Sequence, residues 1–307
     1  MSKLVTLENL TKRYGDKLAL ENVNLELPEG PIGLLGPNGA GKSTLIKTLL
    51  GLLDFQEGRG EVLGYDIRHQ SRKIRDIVGY MPENDVFFPN MTGLGYVTYS
   101  ARLGGLGWKD SIRRSHEILD FLGMGEERFR LVDSYSTGMR QKVKLAQAIV
   151  HDPKLVFLDE PTNGLDPDGR DEMLALVQSL WEETQMSVIL SSHVLPDVER
   201  VCQRVVILID GKVQGVDLME NLHSQEKEIY ILRVQGKSQG FEKALKKKGY
   251  KIRKLENGEW EIQGKKGISS IEVFEEAQKE KVAIRKWIPK KSSLEDIFLQ
   301  AVEGKFK

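Results

Sequence analysis

The spacing of apolar and polar positions changes period several times along these 307 residues. Residues 3–10 and 20–27 alternate apolar and polar, as half-exposed strands do. Between them, Lys12-Arg13-Tyr14-Gly15-Asp16 reads as a turn, and Tyr14 beside the turn glycine is an aromatic ring that could stack on a base. Ile32-Gly33-Leu34-Leu35 is short and apolar throughout, the pattern of a buried strand, and Leu45 to Leu50 reads as a helix. Arg59 to Gly64 suggests another strand and turn. Ile77 to Met81 forms a short apolar strand that Pro82 halts, leaving Glu83 at the strand end. Residues 91–151 become helical, with candidates over 96–103, 110–122 and 138–150. In the last of these, Met139, Val143, Ala146 and Val150 share one face, and Ser136 is placed to cap it.

Leu155-Val156-Phe157-Leu158 is a buried strand that presents Asp159 and Glu160 at its carboxyl end. A helix over 168–183 follows, then a strand over 186–191 leading to His193. Residues 204–210 and 212–216 form a hairpin turning at Asp210-Gly211. This strand–helix alternation predicts a layered α/β domain over 1–218. Past a short helical stretch near 217–223, the pattern restarts over 219–307. Strand 228–234, helix 238–247, strands 250–256 and 259–263, helix 269–280 and strand 282–288 give the order βαββαβ. That is the ferredoxin-like, split βαβ arrangement. A last helix is expected over 294–302, capped by Ser292 or Ser293. The second domain has no Cys/His cluster, glycine loop or paired carboxylate at a strand end. It is therefore expected to regulate or to support dimer contacts.

Composition narrows the setting. The chain is 40% hydrophobic and 29% charged with a formal net charge of +0, so no global field points to nucleic acid, and none is expected as a partner. Charge is nonetheless uneven: residues 224–307 carry 20 Lys and Arg against 13 Asp and Glu, a net +7 that leaves −7 on the rest. Such a split suggests separate partner surfaces. Cys202 is the only cysteine, which excludes an internal disulfide and suits a reducing compartment. The first residues lack a signal-peptide pattern, and no apolar run approaches the ~18 residues of a membrane helix. A membrane role would need another chain to supply the span.

The candidate chemistry begins at Gly36-Pro37-Asn38-Gly39-Ala40-Gly41-Lys42-Ser43-Thr44, which fits G-x-x-x-x-G-K-[ST] between a strand and a helix. Its glycines permit positive φ and close backbone approach, so that N–H groups turn toward an anion at a helix N-terminus. The stretch predicts a nucleoside triphosphate site. Lys42 would reach the β- and γ-phosphates, and Ser43 would offer its hydroxyl to Mg²⁺. Asp159 is placed to hold Mg²⁺ with Ser43, Glu160 to act as general base on water, and His193 to donate to the γ-phosphate.

Together these residues resemble one family over residues 1–218: the nucleotide-binding subunits of ABC transporters. Tyr14 matches the adenine-stacking aromatic. Gly36 to Thr44 match Walker A, and Leu155 to Glu160 match Walker B with its catalytic glutamate. Asp166 matches the D-loop aspartate, His193 the switch histidine, and Tyr135-Ser136-Thr137-Gly138-Met139-Arg140-Gln141 the signature. Two departures stand out. Thr137 and Met139 replace a signature glycine and glutamine, and Glu83 stands where the family has glutamine. Glu83 can still ligate Mg²⁺ but, when ionised, donates no hydrogen bond.

Both departures, and the ending Ser292 to Phe298, resemble the exporter branch that serves drug, lipid or polysaccharide efflux. The resemblance implies a P-loop ATPase fold with an antiparallel β subdomain and a helical subdomain near 91–151. It also implies a homodimer that sandwiches ATP, with Ser136 and Gly138 completing the site of the opposite copy. A separate transmembrane permease would hold the chain at the cytoplasmic face of the membrane, touching it through segment 83–110. The glycines of that segment (Gly93, Gly95, Gly104, Gly105, Gly107) suit a surface that moves. The rival reading is a soluble ABC ATPase of a non-transport process. Chromosome-type members carry a long coiled coil where this chain has only about ninety residues between Walker A and the signature. Translation-type members usually carry two cassettes, and this chain has one. A nucleotide-sensing module without turnover is disfavoured by the presence of both Glu160 and His193.

Overall fold

The structure, a computed structural model, describes residues 3–85, 87–219, 229–236, 238–255, 258–264 and 269–290. The chain divides into two compact units, one reaching Met219 and one beginning at Glu220.

The first unit opens with β1 (Lys3–Tyr14) and β2 (Lys17–Pro28), then β3 (Pro31–Leu35) and α1 (Lys42–Leu49). Strands β4 (Glu57–Val62) and β5 (Tyr65–Asp66), helix α2 (Ser71–Ile77) and β6 (Val78–Met81) follow. Helices α3 (Gly93–Leu103), α4 (Trp108–Phe121) and α5 (Thr137–Ile149) come next. The unit closes with β7 (Leu155–Asp159), α6 (Pro167–Thr184), β8 (Ser187–Ser192), α7 (Leu195–Val201), β9 (Arg204–Ile209) and β10 (Lys212–Leu218).

Two sheets result. An antiparallel sheet has the order β2-β1-β4-β5, and a second sheet has the order β10-β9-β3-β8-β7-β6. In the second, β9, β3, β8, β7 and β6 run parallel, and β10 is antiparallel to β9. The phosphate loop leaves β3, Glu160 leaves β7, His193 leaves β8 and Glu83 leaves β6. Because these strands are parallel, all four exits lie at one edge, the carboxyl edge where α/β sheets bind ligands. Leu45, Ile46 and Leu49 of α1 share a core with Leu7, Leu20 and Leu25 of the antiparallel sheet and Ile32 and Leu34 of β3. Burying one such side chain contributes roughly 1.5–3 kcal/mol. The helix behind the phosphate loop is therefore fixed between both sheets.

Departures from the sequence reading have local causes. β1 and β2 extend to a two-residue turn at Gly15-Asp16, past the expected strand limits. Positive φ at Asn9 (51°) and Asn22 (49°) accompanies register shifts that break the alternation. Helices α2 and α7 have seven residues each, too short to show a helical period. Helix α5 is buried beyond its predicted stripe, since it packs on α3, α4, β6 and β7 together. The strand β10 runs to Leu218, so the expected helical stretch near 217–223 begins with strand residues. The glycines of segment 83–110 serve the helices. A Cβ on Gly93 would meet the Tyr135 hydroxyl at 2.4 Å, and Gly105, just past α3, has φ +94°.

The described part of the second unit contains β11 (Ile229–Gln235), α8 (Gln239–Lys247), β12 (Lys251–Lys254), β13 (Trp260–Gln263), α9 (Ser270–Lys279) and β14 (Ala283–Lys290). Its antiparallel sheet has the order β12-β13-β11-β14, the ferredoxin-like topology. Leu232, Trp260 and Ile262 of the sheet pack against Phe241 and Leu245 of α8 and Val273 and Ala277 of α9. The expected helix over 294–302, with its Ser292 or Ser293 cap, lies outside the described residues.

Candidate active site

The phosphate loop forms as its glycines require. Gly39 and Gly41 have φ of +83° and +105°, and a Cβ on Gly41 would meet the Ala19 carbonyl at 2.8 Å. Helix α1 starts at Lys42, and no side chain among the described residues caps it. Its first-turn N–H groups are thus left to an anion, aided by the helix dipole. The β9–β10 turn braces the loop from behind: Gly211 N–H donates to Ala40 O at 3.0 Å, and Glu21 N–H donates to Gly211 O at 2.9 Å. Lys42 donates to Gly36 O at 2.7 Å and Pro37 O at 3.4 Å, and its Nζ lies 3.6 Å from Glu160 Oε1.

A pocket of about 690 Å³ opens over the loop. Tyr14, Asn38, Gly39, Ala40, Gly41, Lys42, Ser43, Thr44, Glu83, Glu160 and His193 all line it, joined by Asn163 and Asp210. Gly36 and Pro37 contribute through the carbonyls that Lys42 binds. Tyr14 is 47% exposed, with Lys12 Nζ 4.9 Å from its ring centroid. Glu160 is buried and has φ +52°, an αL conformation that turns the chain sharply at the end of β7. Its N–H donates to Ser191 O at 3.0 Å, and His193 Nδ1 lies 2.9 Å from its Oε2. The carboxylate of the expected base is therefore held between Lys42 and His193 at the pocket wall.

The donor set also fits a hard divalent cation. Asp159 is 2% exposed, and its Oδ1 has no hydrogen-bond partner among the described residues. A buried carboxylate oxygen left unpaired is costly unless something positive completes it. Ser43 and Glu83 line the pocket as oxygen donors, whereas Asp159 lies behind its wall, one residue before Glu160, and is not among the lining residues. No cluster of three or more His, Cys, Asp or Glu among the described residues could hold a metal by itself. Tyr80, half-buried on β6, has its hydroxyl pushed up by burial and by nearby Asp159 and Glu83, so it stays protonated.

Ser136, Gly138 and Asp166 lie elsewhere on the same unit. They line a second concavity of about 430 Å³ that shares no lining residue with the first. The Ser136 hydroxyl caps α5 by accepting from Met139 N–H at 3.3 Å. Asp166 caps α6 by accepting from Gly169 N–H at 3.1 Å. These residues are grouped together, apart from the phosphate loop.

Residues 20–163 match the family described as ABC transporter. The chain is 36% identical over 214 residues to the bacitracin transport ATP-binding protein BcrA of Bacillus licheniformis, covering 69% of each chain. It is 31% identical over 319 residues to an uncharacterised ABC transporter ATP-binding protein, YcbN, of Bacillus subtilis, covering 99% of this chain and 98% of that one. The chain belongs to the ABC transporter family. Among solved structures, it resembles a dimeric, post-hydrolysis ATP-binding cassette bound to ADP and Pi. That match has a TM-score of 0.64 and 26% identity, covering 70% of this chain and 98% of the other. The first unit is accordingly an ABC cassette, and the chain is an ATP-binding and ATP-hydrolysing subunit.

Several residues of the cassette's site had no role assigned from sequence. Asn163 and Asp210 line the pocket over Lys42. Asp197, 1% exposed on α7, accepts from Thr162 Oγ1 and Arg170 Nε, both at 2.6 Å. It thereby ties the helix after His193 to the segment after Glu160. Lys144 of α5 is buried and donates to Glu83 O at 2.7 Å. Burial pulls its ammonium below the ordinary value, while Asp85, Glu83 and Asp159 act in the opposite direction. In the sequence, Asp197 lies in no predicted element and Lys144 is one polar position of the helix expected over 138–150.

Proposed function

We propose that this cassette is the ATP-hydrolysing subunit of an exporter, working as one half of a homodimeric clamp attached to a separate transmembrane permease. The observation that carries the reading is the separation of the two concavities. Lys42, Glu160 and His193 line one, and Ser136, Gly138 and Asp166 line the other. A single chain leaves the ATP pocket without its signature residues, and a second copy can supply them. The dimeric form of the cassette bound to ADP and Pi supports this arrangement, and the name of BcrA supports an export role.

In this reading Tyr14 stacks on adenine, and residues 36–44 with the α1 N-terminus cradle the phosphates. Ser43 and Asp159 would hold Mg²⁺ with Glu83 at the rim; when bound, the ion neutralises charge on the β- and γ-phosphate oxygens. Glu160 orients a water and takes its proton as the water oxygen bonds to the γ-phosphorus. The bond from that phosphorus to the β–γ bridging oxygen breaks, leaving ADP and phosphate. His193, held on Glu160, donates toward the γ-phosphate. Ser136 and Gly138 of the second copy present the N-terminus of α5 to the same phosphate. ATP then joins the copies, and hydrolysis releases them. No helix among the described residues is long and apolar enough to cross a membrane. The permease would therefore provide the span and hold the cassette at the cytoplasmic face.

Affinity capture of the tagged chain from detergent-solubilised membranes tests this. The expected result is co-purification of one multi-span protein in fixed ratio, with ATP turnover that responds to its cargo. Recovery of the chain without any membrane protein would overturn the exporter assignment.

A further inference from the structure

Lys144 is 1% exposed, and its charge is carried inside the first unit rather than out to solvent. Burying an ammonium is expensive, so its surroundings must supply compensation. They do so from one short segment: Nζ donates to Glu83 O at 2.7 Å and lies 3.5 Å from Asp85 Oδ1. Arg140, one turn earlier on α5, reaches Asp85 Oδ2 at 3.4 Å. Gln141 donates through Nε2 to Asn163 O at 3.1 Å, and Asn163 Nδ2 lies 3.5 Å from Glu83 Oε1. Three side chains of one helix thus hold the segment that enters the ATP pocket at Glu83 and the loop that follows Glu160.

We propose that Lys144 is a positioning residue that fixes the Glu83 main chain at the ATP pocket from within α5 and places a positive charge beside Asp85. The inference rests on the reading that Glu83 acts at the Mg²⁺–phosphate rim. The physical reason lies in the geometry of α5. Ser136 caps this helix, and Lys144 lies two turns further along, about 12 Å from the cap at 1.5 Å per residue. A rigid helix anchored at Lys144 carries any displacement of the Glu83 segment to its Ser136 end. The residue that serves ATP on its own protomer and the residue offered to the partner's ATP are then parts of one lever. Lys144 also keeps the Glu83 main chain in place without touching substrate, so its loss acts on turnover more than on binding.

The test compares Lys144→Met, Glu83→Gln and the double variant in the full chain. ATP turnover is read by phosphate release, and affinity by a fluorescent ATP analogue. Lys144→Met is expected to lower kcat at least tenfold with ATP affinity within threefold of the parent. The double variant is expected to be no slower than the slower single variant. Parental turnover in a folded Lys144→Met chain would overturn the proposal, as would effects of the two substitutions that multiply. A silent Glu83→Gln would instead overturn the role of Glu83, so the two failures are distinguishable. Should Lys144→Met not fold, Asp85→Asn decides, because Asp85 is exposed at the surface end of the cluster. Its expected loss in kcat is threefold or more with affinity unchanged, and parental turnover there would overturn the tether.

Discussion

His193 Nδ1 lies 2.9 Å from Glu160 Oε2, and this contact joins the carboxyl ends of two adjacent parallel strands, β7 and β8. Glu160 is buried and strained into positive φ, whereas His193 is partly exposed at the pocket. The histidine therefore holds the carboxylate at the wall of the pocket over Lys42. His193→Ala is expected to lower kcat by about a hundredfold, the lower range for a group positioned for proton transfer, with ATP affinity little changed. Steady-state kinetics beside equilibrium binding check this. A large loss of affinity with kcat intact would contradict it.

Asp197 has its carboxylate buried between Thr162 and Arg170. Asp197 is buried, but Arg170 keeps about a third of its side chain exposed. Asp197→Ala therefore costs the hydrogen bonds to a charged group rather than a stranded buried charge, and is expected to destabilise the cassette by about 2 kcal/mol. Chemical denaturation measures this. An unchanged midpoint would mean that Arg170 finds solvent without penalty.

The proposed division of the site between two copies predicts complementation. A Cβ on Gly138 would meet only Leu165 Cδ2, at an ordinary 3.8 Å, so Gly138→Asp is expected to fold while its carboxylate repels the γ-phosphate. Lys42→Ala is expected to weaken ATP binding about tenfold to a hundredfold through loss of a charge-assisted contact. Each variant alone should be inactive. Mixed, they form heterodimers with one intact site, and activity should return in part. No recovery on mixing would place Gly138 outside the composite site.

In the second unit, hydrogen bonds from Lys246 and then Lys254 hold the Glu242 carboxyl below its ordinary value of 4.5. A folded-state value depressed in this way stabilises above the unfolded pKa, and the contribution is lost as pH falls through the folded value. Glu242→Gln is expected to lower the melting temperature at pH 7, with the difference from the parent closing below about pH 4.5. A difference that persists unchanged into strong acid would contradict the assignment.

The parts of the site that sit at the ends of apolar strands could be read before any coordinates. Leu155 to Leu158 can only be a buried strand, which places Asp159 and Glu160 at its edge, and the glycines from 36 to 41 admit few conformations beside a helix start. The described part of the second unit follows the βαββαβ order expected from its alternating and helical stretches. What escaped was tertiary. β1 continues past Leu10 because bulges reset its alternation. α7, with seven residues, shows no period, so Asp197 had no helix to belong to. Lys144 looks like one more helix lysine until α5 is seen packed on β6 and β7. Its function lies in what the fold sets beneath it, and Glu83 is sixty-one positions away in sequence.

In the proposed cycle, ATP joins two copies across Lys42 and Ser136, and Glu160 hydrolyses it to part them. The Glu160→Gln variant tests this most directly, by size-exclusion chromatography with light scattering in the presence and absence of Mg-ATP, alongside phosphate release. The expected result is a monomer without nucleotide, a stable ATP-bound dimer with it, and phosphate release reduced by about a hundredfold or more. A variant that stays monomeric with ATP bound, or that hydrolyses ATP at the parental rate, would contradict it.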